Sequence, residues 1–375
     1  MNTAGSLGDL ATCAHVVVCA GSGGVGKTTT AAAIALEGAR RGRATVVVTI
    51  DPARRLANAL GLDALSEGAA EIDPSLWSGG APEGGGRLSA LMLDTKSTFD
   101  HLVLKYSPDR GQAERILENR FYRNISAALS GTSEYMAMEK LHEIHEEGGF
   151  DLIVVDTPPT RNALDFLDAP ARLTRLLDNR LFRLVMAPTR VSFRMANLAL
   201  QAFFRTTSKI VGSEVVEDLV LFFQAFEGME DGFRSRARRV TELLADPTTA
   251  FVLVTSPGRD AVSEAGYFAR RLAESGLSVD GLVVNRIHPE FGAEAPEAIR
   301  ARGAAVAAAA PGAGMDALYA NLADFVDLAG RERGHLAGLA GEIGDVPVAR
   351  VPLLPFDVCD VESLMAVGRH VFADG

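Results

Sequence analysis

Cysteine is scarce in this chain of 375 residues: only Cys13, Cys19 and Cys359 are present. They form no CxxC pair and stand far from any pair of histidines, which excludes a disulfide framework and a structural zinc site and leaves buried free thiols as the expectation. Positive charge is also in deficit, with 37 Lys and Arg against 48 Asp and Glu and a formal net charge of −11. No large basic surface is available to neutralise a phosphate backbone, so nucleic acid is not expected as a partner. No apolar run approaches the roughly 18 residues that span a bilayer, and Met1 to Thr12 lacks the basic start and apolar stretch of a secretory leader. The expectation is a cytoplasmic protein with only indirect membrane contact. No internal repeat is visible.

Hydrophobic residues make up 47% of the chain, enough for a large core. Short β-branched runs alternate with helical stretches: His15 to Cys19, Thr45 to Ile50, Ala90 to Leu93, Leu152 to Val155, Phe251 to Thr255, Leu282 to Val284 and Val348 to Val351. Continuous apolar strands of this kind are expected where helices cover both faces of a parallel sheet. The fold class is therefore α/β, a doubly wound, mostly parallel sheet. Two helical insertions, about 96–149 and 171–247, interrupt a core at about 13–95, 150–170 and 248–373; together they are expected to form one helical subdomain of a single-domain protein. Gly, Pro and Ser between Ser66 and Arg87 predict a loop, and the tract from Ala304 to Gly314 predicts a helix end and turn.

The segment Gly21-Ser22-Gly23-Gly24-Val25-Gly26-Lys27-Thr28 fits GxxxxGK[ST] and lies between a predicted strand and a predicted helix, about Lys27 to Arg41. Glycines permit a backbone whose N–H groups turn inward on phosphate oxygens, aided by the positive end of the helix. Lys27 then reaches the β and γ phosphates, and the Thr28 hydroxyl, followed by Thr29, meets a Mg²⁺ ion. A P-loop NTPase also needs a carboxylate at a second strand end, and Asp156 after Leu152 to Val155 supplies it for the metal. Asp51 closes the strand "TVVVTI" ahead of Pro52. Two readings of it stand: the carboxylate that handles the attacking water, or the N-cap of a helix starting at Pro52.

"GSGGVGKTT", "TIDPARRLANALG" (Thr49 to Gly61) and "DTPPTRNALDFL" (Asp156 to Leu167) together resemble the arsenite-pump ATPase and the tail-anchored-protein targeting ATPases. These are members of the deviant-Walker P-loop class that includes MinD, ParA and the nitrogenase iron protein. "GLVVNRIHP" (Gly281 to Pro289) and "VPLLPFDV" (Val351 to Val358) extend the similarity over nearly the whole chain. The resemblance implies a catalytic carboxylate at Asp51, a second switch over Asp156 to Thr160, ATP and Mg²⁺ as cofactors, and a dimer closed across two nucleotides. In "NRIH", His288 stands where a guanine-reading Asp would be, which favours ATP over GTP. Asn285 and Arg286 count among the nucleotide contacts. Pro352, Pro355 and Phe356 resemble the family's adenine loop, with a plain strand-to-turn segment as the other reading.

The family's motif begins with a Lys that crosses the dimer, and here that position is Ser22. Three readings follow: Arg54, Arg55 or Lys96 supplies the cation, hydrolysis is slow, or a paralogue carrying the lysine completes a heterodimer in place of a homodimer. With no cysteine between Cys19 and Cys359, the arsenite site of the pump, the iron-protein cluster and the targeting ATPase's zinc pair are not expected.

Phe193, Ala196, Leu200 and Phe203 share a helical face, as do Val215, Leu219, Phe222, Phe226 and Met229. "LVLFFQAF" (Leu219 to Phe226) is apolar almost all round. It reads either as a groove for a hydrophobic-helix client, as the resemblance implies, or as subdomain core or dimer contact. The basic run "FRSRARR" (Phe233 to Arg239) predicts a solvated helix face. The function expected is a Mg²⁺-dependent ATPase that switches a dimer between client binding and release. The alternatives are a positioning ATPase of the MinD and ParA kind and a regulatory ATP-binding subunit.

Overall fold

The structure is a computed structural model that describes residues 5–50, 55–62, 68–77, 85–119, 122, 132–157, 174–175, 178, 228–309 and 314–373. The chain divides into two compact units, one built from 1–92, 149–163 and 247–375, the other from 93–148 and 164–246.

In the first unit the apolar runs become strands β1 (Val16–Ala20), β2 (Ala44–Thr49), β3 (Ala70–Glu71), β4 (Arg87–Met92), β5 (Leu152–Asp156), β6 (Thr249–Thr255), β7 (Gly281–Ile287) and β8 (Val348–Pro352). They form one sheet in the order β3-β4-β2-β5-β1-β6-β7-β8, parallel throughout except for β3, which pairs antiparallel with β4. The fold is thus the mostly parallel α/β sheet of a P-loop protein. Every residue of β1, β5 and β6 is buried, which is why these strands read as unbroken apolar runs.

Between β1 and β2 the helix Lys27–Arg40 covers the sheet with small side chains. Ala31, Ala32, Ala35 and Ala39 are buried completely or nearly so in one core with Val17, Leu152 and Val154. Leu364 and Val367 of the helix Val361–Val371 join the same core. In the register, Asp156 of β5 lies beside both Cys19 of β1 and Thr49 of β2. Three strand ends therefore meet at one edge of the sheet.

The second unit includes the helices Thr95–Tyr106, Arg110–Glu118, Thr132–Glu147 and Glu230–Leu244. Asp94 and Asp109 cap the first two, accepting from the backbone N–H of Lys96 and Gln112, each at 2.8 Å. Arg236 joins the last two: its Nε donates to Glu139 and its Nη1 to Glu146, both at 2.7 Å.

Three expectations are corrected. Cys19 is buried, but Cys13 and Cys359 are exposed, because each lies at a helix boundary rather than inside a strand. The stretch expected to be a loop between Ser66 and Arg87 contains β3 and a short 3₁₀ turn, Pro74–Leu76, where the Asp73 side chain accepts from the backbone N–H of Ser75. The basic run is not wholly a solvated face: Arg236 is 3% exposed, because its position joins the inward stripe of Phe233, Ala237 and Val240. The apolar faces expected between Phe193 and Phe226 lie outside the described residues. No helix among the described residues is long and apolar enough to cross a membrane.

Candidate functional site

The glycine loop leaves β1 against the neighbouring strand. Gly21 has φ +154°, and a Cβ there would stand 2.0 Å from the carbonyl oxygen of Val254. At the other end Gly26 has φ +100°, and its Cβ would stand 2.1 Å from the Nδ2 of Asn285. That amide donates to the Val25 carbonyl at 2.9 Å, tying the loop to the end of β7. Only glycine fits either position.

Lys27 is 5% exposed and folds back on its own loop, its Nζ donating to the Ser22 carbonyl at 2.7 Å. The Thr28 hydroxyl donates to the Oδ2 of Asp156 at 2.7 Å, and the Thr49 hydroxyl donates to the same oxygen at 2.9 Å. Burial and then the Asp156 carboxylate push the neighbouring Cys19 thiol far above its ordinary range, so it stays protonated and inert. Thr157 fixes the strand end by donating its hydroxyl to the Cys19 carbonyl at 2.8 Å.

A cleft of about 320 Å³ opens over the loop, lined by Gly24, Gly26, Lys27, Thr28, Thr29, Arg55, Asn58, Ala59, Thr157, Arg286 and Val358. Its chemistry fits a phosphate chain. The first N–H groups of an α-helix have no intrahelical acceptor, and no side chain caps the start of Lys27–Arg40. A magnesium ion fits as well: Thr28 and Asp156 are hard oxygen donors. Among the described residues no group of three or more His, Cys, Asp and Glu could hold a metal by itself. Mg²⁺ takes few protein oxygens and completes its shell with phosphates and water, so a hydroxyl and a carboxylate suffice to hold it.

The expected loop residues Gly21 to Thr29, Asp156, Asn285 and Arg286 come together. Ser22 is half-buried and gives its carbonyl to Lys27, while Gly23 is exposed. Pro352 ends β8, and Pro355 and Phe356 follow, both exposed and neither lining the cleft, whereas Val358 beyond them lines it. Of the candidate cations, Arg55 lines the cleft, Lys96 pairs with Asp100 at 2.7 Å in the second unit, and Arg54 lies outside the described residues. Asp51 and 158–160 also lie outside them. His288 is held by Glu332: its Nδ1 and backbone N–H both meet the carboxylate, at 2.7 and 3.0 Å. Sequence reasoning placed Thr157 in the second switch but missed Asn58, Ala59 and Val358, although each lies within a motif quoted for other residues.

The profile of the anion-transporting ATPase family matches residues 14–308. Among curated proteins, the chain is 25% identical to an ATPase GET3 of Malassezia globosa over 72% of each chain. It is 20% identical to a putative arsenical pump-driving ATPase 1 of Aquifex aeolicus, over 96% of this chain and 79% of that one. An uncharacterized protein of Streptomyces coelicolor is 30% identical over 72% of this chain and 62% of its own.

Proposed function

The chain belongs to the anion-transporting ATPase family, and from that premise we propose that it binds Mg-ATP in the cleft above the glycine loop and hydrolyses it. The observation that carries this reading is the convergence of Lys27, Thr28 and Asp156 at one mouth of the sheet. Backbone N–H groups at the start of Lys27–Arg40 hold the phosphates, and Lys27 exchanges the Ser22 carbonyl for phosphate oxygen. Thr28 and Asp156 hold the Mg²⁺, which, when bound, neutralises charge on the phosphates. The family resemblance assigns the base to Asn285, Pro352, Pro355 and Phe356, and Val358 of the same segment lines the cleft.

Asp51 is the carboxylate that orients and deprotonates water, a role carried by the resemblance of "TIDPARR" to the family's first switch. A serine at position 22 brings no charge across a dimer, so turnover by the chain alone is slow unless a cation within the chain takes over. Nucleotide state then opens and closes a dimer, homotypic or with a paralogue, that releases a hydrophobic-helix client. Calorimetry should find uptake of Mg-ATP by the wild-type chain and none by Lys27→Ala at equal concentration. Uptake unchanged in the variant overturns the proposal.

A further inference from the structure

Strand β7 pairs with β8 in regular register through Val284, and the register then shifts before Ile287. Arg286, inside that irregularity, has φ +61°, the one non-glycine positive φ among the described residues. A side chain disfavours this conformation, and a bulge that adopts it re-aims what it carries. Two residues on, His288 is clamped by both oxygens of Glu332, itself only 8% exposed, so the bulge is held from behind.

The bulge sends the Arg286 guanidinium over the glycine loop, where Nη1 donates to the Gly24 carbonyl at 3.0 Å and the side chain lines the cleft. Neighbouring arginines pair with carboxylates, Arg302 with Glu294 at 2.7 Å and Arg333 with Glu290 at 3.0 Å. Arg286 makes no ion pair among the described residues and rests on a neutral carbonyl, with further N–H donors in its fork. The Lys27 ammonium of the same loop donates to the Ser22 carbonyl. A phosphate oxygen is a stronger acceptor for the Arg286 guanidinium than the Gly24 carbonyl it now meets.

Building on the Mg-ATP reading, we propose that Arg286 is a phosphate-contacting cation acting within its own chain, favouring nucleotides in proportion to their phosphate charge. The bulge and the His288–Glu332 clamp are its positioning elements. Arg286 is then the charge that the serine at position 22 does not bring.

The test compares Arg286→Gly, which keeps the left-handed backbone free of strain, and Arg286→Lys with the wild type. Affinities for AMP, Mg-ADP and Mg-ATP are measured by calorimetry, alongside the thermal midpoint of each chain without nucleotide. Arg286→Gly should lose about ten- to hundredfold in Mg-ATP affinity, less for Mg-ADP and least for AMP, with the midpoint unchanged or raised. Arg286→Lys should fall between the two. An equal loss for all three nucleotides, no loss, or a lowered midpoint makes Arg286 a strut for the loop and overturns the inference alone. A wild-type chain that takes up no Mg-ATP overturns the ATPase reading first and this inference with it.

Discussion

Thr28 and Asp156, 128 positions apart, share a hydrogen bond of 2.7 Å across the mouth of the sheet. The contact follows from register: β5 runs parallel between β1 and β2, so the last residue of β5 arrives beside the loop that leaves β1. Thr49 adds a second hydroxyl to the same carboxylate oxygen, so the carboxylate is oriented before any ligand arrives.

Asp156→Asn tests that arrangement. The amide keeps the shape and loses the charge that a magnesium ion needs. Turnover should fall by about a hundredfold or more. ATP affinity in the presence of a chelator should stay near that of the wild type. Equal loss with and without magnesium would mean that Asp156 only braces Thr28.

The glycine loop yields a graded series. Gly21→Ala places a Cβ 2.0 Å from backbone in β6, which no side-chain rotation relieves. It should cost at least ~2 kcal/mol of stability, within the range of severe backbone substitutions. Gly24→Ala, at φ +77° with nothing within 4 Å, carries only the left-handed penalty of about 1 kcal/mol. Chemical denaturation of the two variants should rank them in that order.

In the second unit, Arg236 and Glu139 are 4% and 1% exposed in their side chains and pair at 2.7 Å. Tyr135 donates its hydroxyl to the same glutamate, and Glu146 binds Arg236 and Arg239. Removing one partner strands a buried charge. Arg236→Ala should therefore destabilise by ~3–5 kcal/mol, while the double change Arg236→Met with Glu139→Leu should recover much of it. Denaturant midpoints of both variants measure this, and an additive double change would show that the ion pair is uncoupled.

Much of this was readable along the chain. "GSGGVGKTT" announced a strand, a glycine loop and a helix because Gly21, Gly26 and the Lys-Thr pair serve contacts within the loop or beside it. Asp156 was readable because apolar strands in a parallel sheet end toward the ligand side. The two-residue β3 was not, since antiparallel pairing with β4 is its only support. The clamp of Glu332 on His288 joins residues 44 apart, and neither has a local partner that betrays it. Arg236 was misread because a run of charges was weighed by composition. The spacing of Phe233, Ala237 and Val240 already put position 236 on the inward face of its helix.

His142 makes the same network responsive to acid. The ring is 4% exposed on the helix Thr132–Glu147. Burial first, and then the positive charge of Arg236, hold its pKa down at about 4. In the unfolded chain the imidazole titrates near its ordinary value of about 6.5. Between these two values the unfolded state binds the extra proton, so stability rises with pH and is lost as pH falls from about 6.5 toward 4. Glu139 works in the opposite sense: burial raises its pKa, so its protonated form is favoured in the folded state at the acid end. The net slope therefore mixes both groups, and a chain without the imidazole separates them. His142→Phe should show a flatter decline of stability between pH 6.5 and 4 than the wild type. Parallel curves would mean that the imidazole takes up its proton equally in both states, and that burial beside Arg236 does not keep it neutral.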